Sequence, residues 1–316
     1  MANTPVVVMD DTLTDIADAI RGKNGLSDTY KPSEMPAAIT AIPSGGGGGI
    51  PREVDANGVY IFPAQSFSFS LPPNTTDVGG NVLRYVFYGC TSLTSADLSS
   101  LTAVSGGYAF EYAFNACTNL TSADLSSLTA VSGTYAFRNA FYDCTNLTSV
   151  DLSALTTVSG SYAFNSAFNT CTSLTSVDLS ALTTVSGSSA LSGAFYRCTS
   201  LTSADLSSLT TVSGSALSTA FYDCANLTSV DLSALTTVSG NALQQAFYGC
   251  TSLTSVSFPA LTTSSFGTYT NQFNKMLQGV TGCTVHFPAA IQSTIGSWAD
   301  VTAGFGGTNT TVSFDL

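Results

Sequence analysis

The sequence predicts a solenoid that repeats a unit of short parallel strands and short helical or turn segments, with a small helical head at its start. Three observations lead to this fold class. Cysteine recurs at intervals of 27, 27, 27, 27, 26 and 26 residues, each time within the same local sequence. Apolar residues keep a fixed spacing inside every unit, and five consecutive glycines at 45–49 separate the first residues from the rest. A unit of this length cannot bury its apolar face alone, so the units must stack on one another.

The first 43 residues are predicted to form the helical head. Leu13, Ile16 and Ile20 fall on one face of a first short helix, and a second short helix is expected at about 33–42. A segment of this size does not build a stable core by itself, so we expect it to anchor or oligomerise the chain. Residues 44–49 then form a flexible glycine linker.

Three further segments follow the linker. Residues 50–80 carry strand and turn signals and are predicted to cap the stack at its N-terminal end. The repeats occupy 81–258. Residues 259–316 are predicted to be the C-terminal cap, with strands at 284–287 and 312–316. End units differ from internal ones because their outer face meets solvent.

Each unit begins with a strand whose apolar residues follow the spacing LxxLxL. In one unit Leu147, Val150 and Leu152 point inward, and the serines and aspartate beside them point outward, because side chains alternate along a strand. After a second apolar wall, Phe164 and Phe168 stand at helical or near-helical spacing before the unit closes at its cysteine. The unit is therefore predicted to bury one face of the strand and one face of the closing segment.

The repeated pattern Ala-Phe-x-x-Cys-Thr-Ser-Leu-Thr-Ser-Val-x-Leu resembles the BspA-type leucine-rich repeats. These repeats occur in bacterial surface proteins, protist surface proteins, and phage or prophage proteins. The resemblance implies a leucine-rich-repeat solenoid over more than half of the chain. The chain departs from many family members in one respect, because it reads Leu-Ser after the strand, as at Leu98-Ser99, where they read Ile-Pro.

The head resembles a short module at the start of phage and prophage structural proteins, through residues 13–23 and the sequence Met-Pro-Ala-Ala-Ile at 35–39. The two resemblances together imply a virion structural or adhesion protein that is made in the host cytoplasm. Residues 1–43 would bind other virion proteins and form oligomers, and the solenoid would bind a glycan or protein of the host surface. The alternative is a bacterial cell-surface adhesin or interaction module, which needs an export route.

Composition argues against several classes of partner. Charged residues make up 9% of the chain, and its formal net charge is −12. Nucleic acids and anionic membrane surfaces attract basic proteins, so neither is expected as a partner. The chain has no apolar run long enough for a transmembrane helix. Its first residues lack the basic start of a secretory signal, and we expect synthesis in a cytosol.

The repeated cysteines are predicted to be buried, reduced thiols of the core. Stacking would bring neighbouring cysteines within about 5 Å, but parallel side chains suit a disulfide torsion poorly. The series comprises Cys90, Cys117, Cys144, Cys171, Cys198, Cys224 and Cys250. No CxxC occurs and His286 is the only histidine, so we expect no zinc site and no catalytic residue. The chain is predicted to be neither an enzyme nor dependent on a cofactor.

One aspartate recurs on the outward side of each strand. These residues are Asp97, Asp124, Asp151, Asp178, Asp205 and Asp231. Parallel strands place successive carboxylates about 5 Å apart. The row is a solvated acidic stripe, a row of weak Ca²⁺ sites, or a row in which neighbours hold one another protonated. The last interpretation predicts that stability does not fall between about pH 7 and pH 5.

Variation is concentrated in the closing segment. The two residues before each Ala-Phe and the residue before each cysteine differ from unit to unit, and tyrosines stand beside them. Tyrosine and arginine are favoured in binding interfaces. These positions either tolerate change without consequence or bind a partner. The candidate binding residues are Tyr112, Arg138, Tyr142, Tyr196, Arg197, Tyr222 and Tyr248.

Overall fold

The structure, a computed structural model, describes residues 66–71, 75–81, 83–262, 272–295 and 304–316. The predicted helical head, the glycine linker and most of the predicted N-terminal cap lie outside these residues. The described part is a solenoid of stacked rungs, in which each sequence repeat supplies one rung. No helix within it is long and apolar enough to cross a lipid bilayer.

The strands are short, and they pair in parallel. In chain order they are β1 (Phe67–Ser70), β2 (Leu93–Asp97), β3 (Ala103–Val104), β4 (Ser122–Asp124), β5 (Ala130–Val131), β6 (Ser149–Asp151), β7 (Thr157–Val158), β8 (Ser176–Asp178), β9 (Thr184–Val185), β10 (Ser203–Asp205), β11 (Thr211–Val212), β12 (Ser229–Asp231), β13 (Thr237–Val238), β14 (Ser255–Ser257), β15 (Thr284–His286) and β16 (Thr311–Ser313). A 3-10 helix (Ala289–Ile291) and the short helix α1 (Gln292–Ile295) follow β15.

Among the described residues, seven strands form a first sheet in the order β1-β2-β4-β6-β8-β10-β12. The six strands β3, β5, β7, β9, β11 and β13 form a second sheet, and β14-β15-β16 form a third. Equivalent residues lie side by side, as Asp97, Asp124 and Asp151 do in the first sheet. A shift by one residue would turn the buried strand residues toward solvent, so the repeat itself specifies the register.

The closing segment of each rung is a series of turns and not a helix, which corrects the predicted helical segments. Between Tyr108 and Cys117, three buried residues follow each less buried one, and the less buried residues Tyr108, Tyr112 and Ala116 recur every four residues. This period is close to the ~3.6 residues of a helical turn, and the side-chain pattern does not separate the two structures. The backbone conformation distinguishes turns from a helix, because Tyr108, Tyr112 and Ala116 have φ values of 61°, 57° and 57°. Those left-handed values are incompatible with a right-handed helix.

Every second amide of this segment bonds to the neighbouring rung. The N–H groups of Tyr108, Phe110 and Tyr112 donate to carbonyl oxygens of the next rung at 2.9, 2.7 and 3.0 Å. The intervening amides close tight turns, as Glu111 N–H does on the Tyr108 oxygen at 3.1 Å. A helix would use these amides internally, whereas the turns let this side of the rung bond along the stack. We call this side, residues 108–117 and their equivalents in the other rungs, the turn ladder.

The repeats behind the two 26-residue cysteine intervals are one residue shorter within the turn ladder. In a longer rung the first left-handed residue is Tyr162, with a φ of 55°. In the shorter rungs Gly214 and Gly240 take this place, with φ values of 63° and 66°. Glycine adopts this conformation at little cost. The shorter rungs therefore have glycine as their first left-handed residue, where the longer rungs have tyrosine or serine.

Two columns of large side chains run through the core. In the first, seven phenylalanines stack with 5.0–5.7 Å between successive ring centroids. They are Phe87, Phe114, Phe141, Phe168, Phe195, Phe221 and Phe247. In the second, Phe110, Phe137 and Phe164 stack at 4.8 and 4.9 Å. Leucine continues this second column in the next three rungs, at Leu191, Leu217 and Leu243.

Backbones of neighbouring rungs also approach closely where the second sheet passes into the turn ladder. Gly133 and Gly160 occupy equivalent places in successive rungs, and a Cβ atom on Gly160 would overlap the carbonyl oxygen of Gly133. The φ angle of Gly160 is not left-handed, so space and not backbone conformation requires glycine here.

Two strands form within the predicted C-terminal cap, at β15 and β16, close to the predicted ranges. The only histidine, His286, lies in β15, and its Nδ1 is 2.9 Å from a carboxylate oxygen of Asp315. This contact ties the end of the chain to the preceding rung.

Candidate binding surfaces

The outward side of the first sheet, which we call the Ser/Asp face, is nearly uniform from rung to rung. Each aspartate carboxylate accepts a hydrogen bond from the amide of the serine two residues later, at 2.8–3.1 Å. The acceptors are Asp97, Asp124, Asp151, Asp178, Asp205 and Asp231. This Asx turn leads the chain out of the strand. Each of these six aspartates therefore has a structural role in its own rung.

Hydrogen bonding favours the ionised form of two of these aspartates. Desolvation acts to raise the pKa of Asp97, but hydrogen bonds from Ser99 and Ser70 outweigh it, and the pKa lies below its usual value. Hydrogen bonds from the side chain and backbone of Ser180 lower the pKa of Asp178. Mutual protonation requires the opposite shift, so that interpretation is wrong for these two residues.

The Ser/Asp face is concave and shallow. One concavity of about 650 Å³ is lined by Asp178, Asp205, Asp231 and neighbouring serines. The rungs of β8, β10 and β12 each supply one carboxylate to it, and the rung of β14 supplies serines and no carboxylate. In the part of the chain that the structure describes, no three acidic, histidine or cysteine side chains come together in a group that could hold a metal ion. Weak Ca²⁺ sites would draw on single carboxylates and serine oxygens, and they stay a prediction.

The outward side of the turn ladder differs from rung to rung, while its buried positions are occupied mainly by alanine, phenylalanine, leucine and cysteine. Tyrosines and arginines gather there in two patches. The N-terminal patch comprises Arg84, Tyr85, Tyr108, Glu111, Tyr112, Tyr135, Arg138 and Tyr162. The C-terminal patch comprises Tyr196, Arg197, Tyr222, Asp223 and Tyr248.

A buried carboxylate organises the N-terminal patch. The side chain of Glu111 is 1% exposed, and its two oxygens lie 2.6 Å from Arg84 Nε and 3.2 Å from Arg138 Nη1. Desolvation raises the pKa of Glu111, although both guanidinium groups act against this. Arg84 also lies 4.9 Å from the ring centroid of Tyr108, and Arg138 lies 5.2 Å from that of Tyr135. One carboxylate thus holds two cations in place, and the trio carries a net positive charge.

Tyrosines flank this trio in two rows. Tyr108, Tyr135 and Tyr162 stack with 5.0 Å between successive centroids and interplanar angles of 22° and 15°. Tyr85 stacks on Tyr112 at 5.0 Å, with an interplanar angle of 4°. Because the rings stack along the solenoid axis, their faces cover one another and their edges form the outer surface.

The C-terminal patch is built in the same way but has a different charge. Tyr196, Tyr222 and Tyr248 stack at 4.6 and 4.2 Å. Arg197 lies 5.3 Å from the centroid of Tyr196, and its Nε lies 3.3 Å from a carboxylate oxygen of Asp223. Desolvation raises the pKa of Tyr222 to about 12, and its hydrogen bond with Tyr248 acts in the same direction. One cation offsets one anion here, and the patch has no excess charge.

The structure divides the predicted binding residues between the two patches. Tyr112 and Arg138 belong to the N-terminal patch. Tyr196, Arg197, Tyr222 and Tyr248 belong to the C-terminal patch. Tyr142 lies outside both, as an exposed side chain on the same side of the ladder.

Sequence reasoning missed the row Tyr108, Tyr135 and Tyr162, and it missed the role of Glu111. The row of tyrosines could have been recognised from the sequence, because these residues recur every 27 residues, each two residues after the repeat glycine. No sequence pattern indicated the role of Glu111, because its burial between two arginines depends on which residues of neighbouring rungs come together.

The cysteines lie in the core. All eight cysteines of the chain are buried and free. In six rungs the thiol donates to a phenylalanine carbonyl oxygen of the preceding rung, at 3.0–3.1 Å. Desolvation raises the pKa of each thiol, to about 12 at Cys198. Buried thiols of high pKa are unreactive, so these residues serve packing and hydrogen bonding.

Parallel strands with inward LxxLxL residues, stacked rung on rung, define the class of leucine-rich-repeat solenoids. The chain belongs to the BspA-type leucine-rich repeat family. The sequence model described as "BspA type Leucine rich repeat region" matches it in six copies, over residues 65–166, 111–243 and 138–278.

Solved structures with similar repeats come from several bacteria. The T. pallidum leucine-rich repeat protein is 26% identical, with a TM-score of 0.41, and the match covers 60% of this chain and 78% of that one. A leucine-rich repeat protein from Bacteroides ovatus is 18% identical, with a TM-score of 0.22 and coverage of 78% and 91%. A leucine-rich cell surface protein from Faecalibacterium prausnitzii is 17% identical, with a TM-score of 0.23 and coverage of 79% and 79%. A comparison with curated proteins finds no match.

Proposed function

We propose that the protein is a non-enzymatic binding module whose partner docks on the outward side of the turn ladder. The observation that carries this proposal is the contrast between the two surfaces of each rung. The Ser/Asp face repeats the same residues, and its carboxylates are engaged in turns of their own chain. The buried positions of the turn ladder are occupied mainly by alanine, phenylalanine, leucine and cysteine, and its outward side concentrates tyrosine and arginine in two patches. Tyrosine and arginine are among the residue types that dominate binding energy in protein interfaces.

The wider role we propose is adhesion by a virion component. Residues 1–43 would attach to other virion proteins and form oligomers, the glycine linker would let the solenoid project, and the patches would bind a glycan or protein of the host surface. Weak contacts made by several copies at once would then give strong overall binding through avidity. The sequence of the head and the composition of the linker support this role, and a bacterial cell-surface adhesin is the alternative.

The site is tested by binding of the labelled full chain to cells of the source culture. A ladder variant carries Tyr135→Ser and Tyr222→Ser, one change in each patch. The control carries Asp151→Asn on the Ser/Asp face, where asparagine preserves the turn. We expect the ladder variant to lose most cell binding at an unchanged circular dichroism spectrum, and the control to bind as the parent does. Loss in the control alone, or no cell binding by the parent chain, would refute the proposal.

The location is tested by immunogold electron microscopy of particles and cells, with antibody to residues 50–316. We expect gold on capsids or tails, and deletion of residues 1–43 should abolish incorporation into particles while the solenoid stays folded. Gold on cell envelopes alone would instead establish the adhesin and direct the work to its export route.

A further inference from the structure

The row of Tyr108, Tyr135 and Tyr162 has one open end. The ring of Tyr135 stacks with both other rings, and the guanidinium carbon of Arg84 lies over the ring of Tyr108, 4.9 Å from its centroid. In the next rung Ser189 takes the place of Tyr162, and both have a left-handed backbone, with φ values of 53° and 55°. The row of rings therefore stops at Tyr162, and no ring or cation of the described residues stacks on the face that Tyr162 turns toward Ser189.

The exposure of the three rings agrees with this arrangement. Tyr108 and Tyr135 are partly buried, whereas Tyr162 is exposed, at 36%. Stacking on Tyr135, at 5.0 Å and with an interplanar angle of 15°, holds the exposed ring in one orientation. A ligand that binds here meets a flat apolar surface that is already ordered, which reduces the entropic cost of association.

A backbone amide in the next rung lacks a partner at the same place. The N–H groups of Tyr108, Tyr135 and Tyr162 each donate to a carbonyl oxygen of the next rung, at 2.9, 2.9 and 2.8 Å. This series stops at Ser189, where the following rung is the first of the shorter ones, and the Ser189 N–H has no hydrogen-bond partner among the described residues. Within the same part of the chain, the hydroxyls of Ser188 and Ser189 make no hydrogen bond either. We call Tyr162, Ser188 and Ser189 together the step.

The turn ladder is uncharged around the step. Residues 159–170, 186–196 and 213–222, which belong to three successive rungs, contain no charged side chain. Along the turn ladder the first charged residues on either side of this stretch are Asp143 and Arg197. A charged ligand would find no counter-charge at the step, and it would lose hydration without compensation. An open aromatic face beside free N–H and hydroxyl groups suits a neutral ligand that has both an apolar face and many hydroxyls.

We propose that the step binds a neutral glycan, one pyranose ring of which stacks on the open face of Tyr162. The C–H groups on one side of a pyranose carry a partial positive charge, and the face of an aromatic ring carries the negative part of its quadrupole. The sugar hydroxyls accept a hydrogen bond from the Ser189 N–H and exchange hydrogen bonds with the hydroxyls of Ser188 and Ser189. This inference rests on the proposed function and specifies the partner class of its N-terminal patch.

The test applies the full chain to an array of printed oligosaccharides. The chain is coupled through its N-terminus to fluorescent beads, so that weak single contacts are multiplied. The array carries neutral oligosaccharides of hexoses, pentoses and N-acetylhexosamines beside glycans that contain uronic or sialic acid. We expect neutral glycans of at least one class to bind, and the acidic glycans to bind more weakly. Tyr162→Ser should weaken binding by about tenfold, whereas Tyr162→Phe, which keeps the ring face, should stay within about threefold of the parent.

Two further variants make the test specific. Ser189→Leu leaves Tyr162 in place and sets a branched side chain beside its open face, so it should also weaken binding by about tenfold. It stays informative if Tyr162→Ser unfolds. Tyr142→Ser is the matched control, because Tyr142 is equally exposed, at 36%, but stacks on no ring of the described residues and precedes Asp143. This control should change binding less than about twofold.

The proposal is overturned if no neutral glycan binds, if the acidic glycans bind as tightly as the neutral ones, or if Tyr142→Ser weakens binding as much as Tyr162→Ser. Cell binding separates this inference from the proposed function. Ladder-dependent cell binding without glycan binding refutes the glycan alone and identifies a protein as the partner. Glycan binding that is lost in Tyr162→Ser, together with cell binding that the ladder variant retains, supports the step and refutes the proposed function.

Discussion

Phe168→Ala removes one ring from the middle of the core and tests the stacked architecture directly. Phe168 is fully buried, and its ring centroid lies 5.3 Å from that of Phe141 and 5.4 Å from that of Phe195. Its backbone is held by the next rung, because its amide donates to the Ala194 carbonyl oxygen at 2.8 Å. The neighbouring rungs therefore have little freedom to close over the space that the ring leaves.

Replacement of a buried phenylalanine by alanine costs about 3–5 kcal/mol, and the cost rises with the cavity that remains. Two stacked contacts disappear as well, each of which contributes about 0.5–1.5 kcal/mol beyond the buried area in measured pairs. A site that relaxes poorly and loses both contacts should lie in the upper half of the first range. We therefore expect the free energy of unfolding to fall by about 4–5 kcal/mol.

Urea unfolding followed by circular dichroism and by tyrosine fluorescence measures this change. Phe164→Leu is the matched control, because it lies in the same rung and the next rung carries Leu191 at the equivalent position. Because leucine is accommodated at this position in the next rung, we expect Phe164→Leu to lower the free energy of unfolding by less than about 1.5 kcal/mol. A loss below about 1 kcal/mol for Phe168→Ala, or equal losses for both variants, would refute the stacked core. Transitions that differ between the two probes would show instead that the defect uncouples the two halves of the stack.

Gly160→Ala should lower the free energy of unfolding by about 1–3 kcal/mol in the same urea assay, because its Cβ would overlap the Gly133 carbonyl oxygen. Gly79→Ala, which meets open space, should change it by less than about 0.5 kcal/mol, and equal effects would contradict the close approach. The pKa of Asp178 is lowered, so the folded protein binds a proton at this carboxylate less readily than the unfolded chain does. The ionised carboxylate therefore stabilises the fold at pH values above its usual pKa of 3.8. This stabilisation is lost as the pH falls through the pKa that Asp178 has in the folded protein. Asp178→Asn should therefore reduce the loss of stability in thermal melts between about pH 5 and pH 2, and a steeper loss would argue against the hydrogen-bonded carboxylate. Native protein should resist a thiol reagent and denatured protein should label at all eight cysteines by mass spectrometry, whereas a missing pair of labels would reveal a disulfide.

The parts of the fold that depend on a single rung could be predicted from the sequence. The period of the cysteines predicts the stack, and the spacing of Leu147, Val150 and Leu152 predicts which side of the strand is buried, as the structure shows. The shorter units are visible in the spacing as well. These features follow from local alternation and repeat length, and both can be counted without coordinates.

The parts that depend on contacts between rungs could not be predicted in this way. A burial period of four residues suits a helix and a series of turns equally, and nothing in the identity of Tyr108 or Tyr112 reveals their left-handed backbone. The variable positions pointed to several binding residues, but their division into two patches follows from the register that places Arg84, Glu111 and Arg138 in one line. Pairing of this kind appears only when successive rungs are laid on one another.

The turn ladder also bears on how such a chain can change over generations. A rung is bonded to its neighbours through backbone groups and through a core that hardly varies. If a unit were duplicated or lost, the rungs on either side would therefore make nearly the same contacts as before. The shorter units show that even a single-residue change in length is absorbed when glycine takes the left-handed place, as Gly214 does. Exchange of whole units would therefore move, double or separate the two patches while the interior is rebuilt unchanged. Rearrangement of repeats can therefore change the outward surface of such a protein while its fold is kept.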